Sequence, residues 1–378
     1  MDSLAYKPHL DETLARLRAL YSREAADRVF ALFDIPGTTL ARFRAAHPEG
    51  FCSYPDPAER IAFWDELLRE RSIIEDDSVP SAYLSEFDQG LYGGLIGGDV
   101  QFMCHENGWI SSMVAPILRV PRLVQSTSLG PIADWSEFDA LQTKGPVTVH
   151  PWFERYLRQL DIFRAGAEGK FGISHFILID GLNFAFELVG ATKTYESLFD
   201  APDMVRRAVG LGFDLNLTVQ RTFFERTPRL RGGTFSNMVQ WIPGTIVSES
   251  VDPFHMTSVD YFEVWGRENI ERMFGSFDGG VLHLHGNGRH LLEAVCTIKG
   301  LKAIWMGDDR GFPLAFDILD DLRRRAGDTP LVVQTEYRAF ADRLDSRTLA
   351  GGVFYHVTGA PDVDMANRCM EKVRAYRV

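Results

Sequence analysis

Several features that often assign a chain to a class are scarce or missing in these 378 residues. There are four cysteines and none has Cys-x-x-Cys spacing, which argues against a disulfide framework or an all-cysteine zinc site and fits a reducing compartment. Lysine and arginine number 40 against 52 acidic residues, so the net charge is −12, and no contiguous basic patch exists. We therefore expect neither nucleic acid nor an anionic membrane surface as a partner.

Long apolar runs are missing too. No stretch of about 18 apolar residues occurs, so we expect no membrane-spanning helix. The start of the chain is charged and helical in pattern, without the apolar centre of a signal peptide. These features, with an ordinary globular composition, predict a cytoplasmic protein.

Eight short apolar runs are present, and most end in glycine or polar residues before a stretch of helical pattern. Their ranges are 81–87, 99–106, 175–181, 245–250, 280–286, 301–307, 331–337 and 353–359. The last four are the clearest, and their regular spacing is typical of consecutive strand–helix units. Eight such units predict an α/β fold, a (β/α)8 TIM barrel, over residues 76–378. Residues 1–75 show helical patterns and are predicted to form an N-terminal helical extension.

An open doubly wound sheet is the alternative, because it also alternates strands and helices. Dinucleotide-binding sheets of that type carry a Gly-x-Gly-x-x-Gly motif after an early strand, and this chain has none there. The barrel is therefore the favoured interpretation.

Polar side chains follow nearly every predicted strand. In a barrel the carboxyl ends of the strands form the active site, so these residues are candidates for catalysis. Glu106 stands beside His105, and a carboxylate with an imidazole suits proton transfer. The other candidates follow the fourth and fifth runs, the first three of them as groups that would orient a substrate: Glu249, Ser250, Asp252, His255 and Asn287.

A pair of histidines, His283 and His285, ends the fifth run. Side chains two positions apart on a strand point the same way, so both imidazoles can reach one metal ion. A catalytic zinc needs about three protein ligands and an open position. We take His356 on the last strand as the first choice for the third ligand, with three residues in reserve: Glu249, Glu336 and Cys296.

Two alternatives stay open for these histidines. They would hydrogen-bond to backbone or carboxylate groups around a metal-free pocket, or they would only pack in the core. Asp308 and Asp309 at the end of the sixth run also have two interpretations. One of them would hydrogen-bond to a metal-bound histidine on the side away from the metal, or it would cap the following helix.

Three segments resemble the uroporphyrinogen decarboxylase superfamily, which also contains the corrinoid:coenzyme M methyltransferases. They are VSESVDPFHMTSVDYFEVW, LHLHGNGRHLLEAVCTIKGLKAIWMGDD and GGVFYHVTGAPDVDMANRCMEKVRAY. The likeness covers roughly residues 80–378 and is best from 245 onward. It implies a barrel of the uroporphyrinogen decarboxylase type with a small-molecule substrate.

The decarboxylase branch carries paired arginines in an Arg-Gln-Ala-Gly-Arg motif just after its first strand, where they bind substrate carboxylates. The matching place here reads LSEFDQGLYGG, with Glu86 and Asp88 and no arginine. A polycarboxylate would meet negative charge there instead of bidentate donors. Ser250 and His356 do resemble substrate-side positions of that branch. Metal-free decarboxylation of a tetrapyrrole or other small acid is therefore the alternative function.

The methyltransferase branch carries His-x-Cys-Gly-Asn at its fifth strand, and these residues help to bind a zinc ion that activates a thiol. Here the segment reads His283-Leu284-His285-Gly286-Asn287, with histidine in place of cysteine. The resemblance implies a zinc-dependent methyltransferase-like enzyme, with a corrinoid protein or a methylated small molecule as donor. A site of histidines is harder than one with thiolate, which weakens the case for a thiol acceptor.

A non-catalytic corrinoid- or tetrapyrrole-binding protein is the third hypothesis. The clustering of titratable groups at one barrel mouth argues against it. The acidic surface and the long helical N-terminus permit a homodimer.

Overall fold

The computed structural model describes residues 1–46, 57–84, 99–104, 110–115, 132–142, 147–149, 151–174 and 181–378. The strands in chain order are β1 (Val29–Phe33), β2 (Ser81–Tyr83), β3 (Asp99–Cys104), β4 (Ile110–Ala115), β5 (Gly172–Ser174), β6 (Gly233–Ser236), β7 (Gln240–Pro243), β8 (Val247–Ser250), β9 (Gly280–Leu284), β10 (Leu301–Met306), β11 (Leu331–Glu336) and β12 (Val353–Thr358).

Helices precede, separate and follow these strands. They are α1 (Leu10–Tyr21), α2 (Thr38–Ala46), α3 (Pro57–Arg71), α4 (Phe138–Gln142), α5 (Pro151–Ala167), α6 (Gly181–Val189), α7 (Ala191–Asp200), α8 (Pro202–Arg226), α9 (Val259–Trp265), α10 (Arg267–Gly275), α11 (Leu292–Cys296), α12 (Leu319–Ala326), α13 (Tyr337–Asp345) and α14 (Val363–Ala375). Within the described ranges, no helix has the length and apolar character needed to cross a bilayer.

Six strands form one parallel sheet in the order β1-β12-β11-β10-β9-β8. A second parallel pair, β2 and β5, brings the parallel strands to eight, which is the number in a TIM barrel. No backbone ladder joins the two sheets within the part of the chain that the structure describes. The fold is therefore α/β, with helices against a parallel sheet. It is consistent with a TIM-like barrel, although the strands among the described residues do not close one.

Five predicted strands are confirmed, with small shifts at their ends, as β8 to β12 of the main sheet. The described part of run 81–87 contains β2, and run 175–181 lies almost entirely outside the described residues. Run 99–106 was predicted to lead into a helix, and this is wrong. Its strand β3 pairs antiparallel with β4 and forms a hairpin.

The prediction that residues 1–75 are entirely helical is also wrong, because Val29–Phe33 form β1. This strand pairs in parallel with β12, from Val29 opposite Val353 to Phe33 opposite Val357. All five residues are buried. The run is thus apolar on both faces and lacks the alternation that separates a strand from a helix in sequence.

Two buried carboxylates complete the edge of β1 that faces away from β12. Asp77 accepts a hydrogen bond from the backbone N–H of Ala31 at 3.0 Å, and Asp76 accepts one from Phe33 at 2.9 Å. The Arg16 guanidinium donates twice to Asp77, at 2.6 and 3.0 Å. Side chains therefore satisfy the backbone donors that a neighbouring strand would otherwise have paired.

The main sheet has an inner face that leads to the candidate site. Residues from five of its strands join a single core cluster with α1 and the β6–β7 hairpin, among them Phe30, Val281, Ala303, Val332 and Phe354. Side chains two positions apart share a face of a strand. His283 and His356 therefore lie on this inner face, one step closer to the carboxyl ends of β9 and β12.

Glu70 on α3 caps the start of α2. Its carboxylate accepts hydrogen bonds from the backbone N–H groups of Thr38 and Thr39 at 2.7 and 2.9 Å. Burial acts to raise the pKa of Glu70, but these hydrogen bonds together outweigh it and lower the pKa to about 2. We expect Glu70→Gln to lower the free energy of unfolding at pH 7 by about 1 kcal/mol, the usual cost of losing a cap.

Urea unfolding at several pH values tests this expectation. Because the folded-state pKa is depressed, the stabilisation is complete above the ordinary pKa of 4.5 and is lost as the pH falls through about 2. The exposed Glu66 on the same helix offers the control variant Glu66→Gln, which should change stability little. Equal stability of Glu70→Gln and wild type at pH 7 would contradict the capping role.

Candidate metal centre

The carboxyl ends of β8, β9 and β10 lie side by side, and the segments that leave them supply the site. β8 leads into a 3₁₀ helix, Asp252–Met256, and β9 leads through His285 into a second one, Gly286–Leu291. In the parallel register, His283 lies opposite Ser250 on one side and Trp305 on the other. Polar groups from adjacent strands thus reach the same region.

Asp252, His283 and His285 form a group in which one ligand atom of each residue lies within 4.8 Å of the other two. Asp252 Oδ1 accepts a hydrogen bond from His283 Nε2 at 2.7 Å and lies 3.8 Å from His285 Nε2. The two imidazole rings are nearly perpendicular, and their centroids are 4.9 Å apart. Two imidazole nitrogens and one carboxylate oxygen in this arrangement can converge on a divalent ion.

A carboxylate on the far side of His285 fixes this ring. Asp309, after β10, accepts hydrogen bonds from His285 Nδ1 at 3.0 Å and from the backbone N–H of Asn287 at 3.3 Å. With the hydrogen on Nδ1, the Nε2 lone pair is directed at the shared space near Asp252. Of the two aspartates considered from the sequence, Asp309 therefore has the supporting geometry, whereas Asp308 pairs with Arg289 at 2.9 Å.

Asp252 is an anion held among histidines. Burial acts to raise the pKa of Asp252, but the hydrogen bond from His283 and the positive potential of His283, His255 and His285 outweigh it and lower the pKa to about 2. The carboxylate is therefore ionised at neutral pH. It presents a charged oxygen that has no proton for a metal to displace.

His255 is a third imidazole beside the group. Its Nδ1 lies 3.7 Å from Asp252 Oδ1, and its ring centroid lies 5.5 Å from that of His285. Burial is the main cause that lowers the pKa of His255 to about 4; Asp252 opposes it, and the neighbouring imidazoles reinforce it. Gly288 makes room for the ring, because a methyl group at this position would lie 2.1 Å from His255 Cδ2.

The other candidate residues predicted at the ends of β8 and β9 do not all face the site. Ser250 faces the site, with its Oγ 3.4 Å from His283 Nε2. Glu249 is fully buried and accepts a hydrogen bond from Asn216 on α8. Neighbouring residues of a strand point to opposite faces, so Glu249 cannot orient a substrate beside Ser250. Asn287 is exposed, and its backbone N–H binds Asp309.

His356, the residue expected from the last strand, does not join the group. Strands β10 and β11 separate it from β9, which is about 14 Å along the sheet at about 4.8 Å per strand. Its Nε2 lies 2.5 Å from Asp34 Oδ2 instead. The third member of the group is instead Asp252, which begins the 3₁₀ helix after the adjacent β8. None of the three reserve candidates, Glu249, Glu336 and Cys296, belongs to the group. Glu106 lies outside the described residues.

An Asp309→Asn variant tests the support given to His285. We expect metal affinity to fall by roughly 10–100-fold, because carboxylates behind a metal-bound histidine typically contribute this much. Competition for zinc against a chromogenic chelator measures the affinity. Asp317→Asn changes an exposed aspartate on the same connection and should have no effect. Unchanged affinity in Asp309→Asn would contradict the role.

Comparisons with known proteins support the fold. No protein-family model matches this chain, and no curated protein matches it either. Among solved structures, a methyltransferase from Methanosarcina mazei is similar, with a TM-score of 0.61, 11% sequence identity, and coverage of 96% of this chain and 98% of that chain. At this identity the likeness shows a shared fold.

Proposed function

We propose that this chain is a metal-dependent enzyme of the methyltransferase type, with zinc held by Asp252, His283 and His285. The observation that carries the proposal is the convergence of the three ligand atoms within 4.8 Å of one another. They meet at the carboxyl ends of β8 and β9, where barrels of this kind have their active sites.

The donor set fits zinc. Two imidazoles and a carboxylate occur at catalytic zinc sites, which keep a further position open for a reactant. The carboxylate of Asp309 behind His285 is the outer partner that metal-bound histidines usually have. When bound, the ion would act as a Lewis acid and make a coordinated nucleophile more acidic.

The surrounding side chains have separate tasks. Asp309 keeps the His285 ring in one orientation and one tautomer. Ser250 Oγ is 3.4 Å from His283 Nε2 and can offer a hydrogen bond to a substrate in the same space. His255, whose side chain is only 4% exposed, covers one side of the group and excludes water there.

The name of the similar structure suggests methyl transfer as the reaction. The methyltransferase from Methanosarcina mazei matches nearly the whole of this chain and has the same architecture. We propose a corrinoid protein or a methylated small molecule as methyl donor, and a small molecule with a thiol or hydroxyl group as acceptor. The absence of thiolate from the described ligand group makes the site harder than a cysteine-containing one.

Metal-free decarboxylation is the weaker candidate. The first strand of the sheet is β1, and the segment that follows it reads Asp34-Ile35-Pro36-Gly37, again without arginine. The mouth of the fold carries the carboxylates of Asp34, Asp252 and Asp309, and the guanidinium group of Arg71 there is already paired with Asp34. A polyacid would need guanidinium groups that are available to bind it.

A demethylation assay tests the proposal. Zinc-loaded protein is mixed with methylcobalamin and 2-mercaptoethanol or ethanol, and cleavage of the cobalt–carbon bond is followed by absorbance. We expect cleavage that requires zinc and falls at least about 100-fold in His285→Ala, but not in His290→Ala, whose ring binds the Thr257 carbonyl outside the group.

Two outcomes would replace the proposal. Release of carbon dioxide from uroporphyrinogen by the metal-free protein would favour the decarboxylase. Tight binding of cobalamin or a porphyrin, with no turnover in either assay, would favour a binding protein.

A further inference from the structure

Two side chains continue the inner face of the sheet sideways from the metal group, across β10 and β11. Ala303 and Val332 belong to the inner core cluster, so Trp305 and Gln334, two positions later on the same strands, lie on the same face and nearer the mouth. Trp305 is the register partner of His283. The inner face therefore leads from the metal group to Trp305 and then to Gln334.

Trp305 provides an aromatic surface beside the metal group. Its ring is half-buried, packs against the inner core cluster, and lies 6.3 Å from the His283 ring at an angle of 75°. The next inner position of β10 is Gly307, where a methyl group would lie 3.4 Å from Trp305 Cζ3 and 3.3 Å from His285 Nδ1. The rings of Trp305 and His285 therefore meet at a place where the chain carries no side chain.

Gln334 is the neighbour of Gly307 on the other side. The register that pairs Met306 with Val333 places Gly307 and Gln334 next to each other on adjacent strands. Gln334 is exposed although β11 is an interior strand of the sheet. Within the part of the chain that the structure describes, its amide makes no hydrogen bond, and neither does the indole N–H of Trp305. Both groups can therefore bind a ligand at the mouth.

The types of these side chains indicate the chemical class of the ligand. An amide offers donors and an acceptor together, so it is complementary to a group that presents an acceptor and a donor side by side. An indole offers a flat face to a planar group. Carboxylates of Asp252, Asp309 and Glu336 lie around this surface and would repel an anion.

We propose that Trp305 and Gln334 form a binding site for an uncharged planar group of the substrate that carries C=O and N–H side by side, as in a carboxamide or a lactam. Trp305 would contact the flat face of this group, and Gln334 would pair with its polar edge. The proposal rests on the proposed function in treating the mouth as the substrate site. β11 is two strands from β9, so the bound group would lie about 10 Å from the metal group at about 4.8 Å per strand.

Indole N–H NMR on the full chain tests this proposal. The protein is made with isotope-labelled tryptophan, which gives signals from seven indoles, and the Trp305 signal is assigned by its loss in Trp305→Phe. We expect benzamide, a planar carboxamide, to shift the Trp305 signal in a saturable way. Benzoate has the same shape with a negative charge and should not. The two compounds are compared in chelator-treated protein, where benzoate cannot bind zinc.

The Gln334→Met variant keeps the length of the side chain and removes its hydrogen-bonding groups. We expect the half-saturating concentration of benzamide to rise about three- to tenfold, because one or two hydrogen bonds are lost. Lys299→Met makes the same kind of change at an exposed residue before β10, at the opposite end of the sheet, and should leave the titration unchanged. No response of Trp305 to benzamide, an equal response to benzoate, or equal titrations of Gln334→Met and wild type would each overturn the proposal.

Zinc separates this inference from the proposed function. Benzamide should shift the Trp305 signal equally in zinc-loaded and chelator-treated protein, because neither Trp305 nor Gln334 belongs to the metal group. A shift seen only with zinc would mean that benzamide binds at the metal, and it would overturn the inference. A protein that never binds zinc but shows the Trp305 response would overturn the metal proposal alone.

Discussion

Zinc affinity is expected to fall by more than about 100-fold in a His283→Ala variant, because loss of even a supporting carboxylate costs roughly 10–100-fold. His283 Nε2 lies at the centre of the group, 2.7 Å from Asp252 Oδ1. Without it, two ligands remain, and these cannot supply the three that a catalytic zinc needs. Elemental analysis and chelator competition on the purified proteins measure the change.

The control for this substitution comes from the same segment of chain. His290→Ala removes an exposed imidazole seven positions away that hydrogen-bonds to the carbonyl of Thr257. It should retain zinc at the wild-type level. A wild-type protein that fails to bind zinc or cobalt at micromolar concentration, or equal loss in both variants, would show that the three side chains are not a metal site.

Replacement of Asp77 by alanine should produce the largest loss of stability, about 3–5 kcal/mol, which is the usual cost of removing one partner from a buried ion pair. The Arg16 side chain is 11% exposed and would keep its charge without the carboxylate that it binds at 2.6 Å. The backbone N–H of Ala31 would lose its acceptor as well. Urea unfolding, followed by circular dichroism, measures the loss.

Two further variants make the interpretation specific. Arg16→Met in combination with Asp77→Ala removes the unpaired charge and should recover part of the loss. Asp27→Ala removes an aspartate whose side chain is 58% exposed and should change stability by less than about 0.5 kcal/mol. A loss below about 1 kcal/mol in Asp77→Ala would mean that the carboxylate does not hold the edge of β1.

The second half of the sheet could be predicted from sequence because its signals are local. β9 to β12 are apolar runs bounded by turn residues, and each precedes a helical pattern. The pairing of His283 with His285 followed from the same kind of signal, since residues two apart on a strand share a face. Both facts depend on a few neighbouring residues and need no knowledge of distant contacts.

The third member of the group with His283 and His285 could not be predicted from local sequence, because its identity depends on which strands are neighbours in space. β8 is adjacent to β9, whereas β12 is three strands away, so Asp252 can reach His283 and His356 cannot. Consecutive strands are neighbours in a TIM barrel, so the predicted fold already places Asp252, after the fourth predicted strand, beside the histidines of the fifth. The turn of the 3₁₀ helix after β8, which brings this aspartate over β9, left no distinct signal in the sequence.

The hairpin of β3 and β4 and the strand β1 were missed for different reasons. An antiparallel partner for residues 99–104 lies in the next apolar stretch, which was not recognised as a strand. β1 is apolar at every position, and its identity depends on β12 at the other end of the chain. Burial on both faces removed the periodicity that would have revealed it.

The pairing of β1 with β12 has a consequence for the order of assembly. Val29 and Val353 are partners 324 positions apart, so β1 leaves the ribosome long before the strand that it pairs with exists. Until then, Asp76 and Asp77, which follow β1 in sequence, can accept the hydrogen bonds from the backbone N–H groups on one edge of β1. Its other edge can pair with a wrong strand or bind a chaperone. The completed sheet can therefore form only once β12 has been synthesised, and contacts this distant favour slow folding.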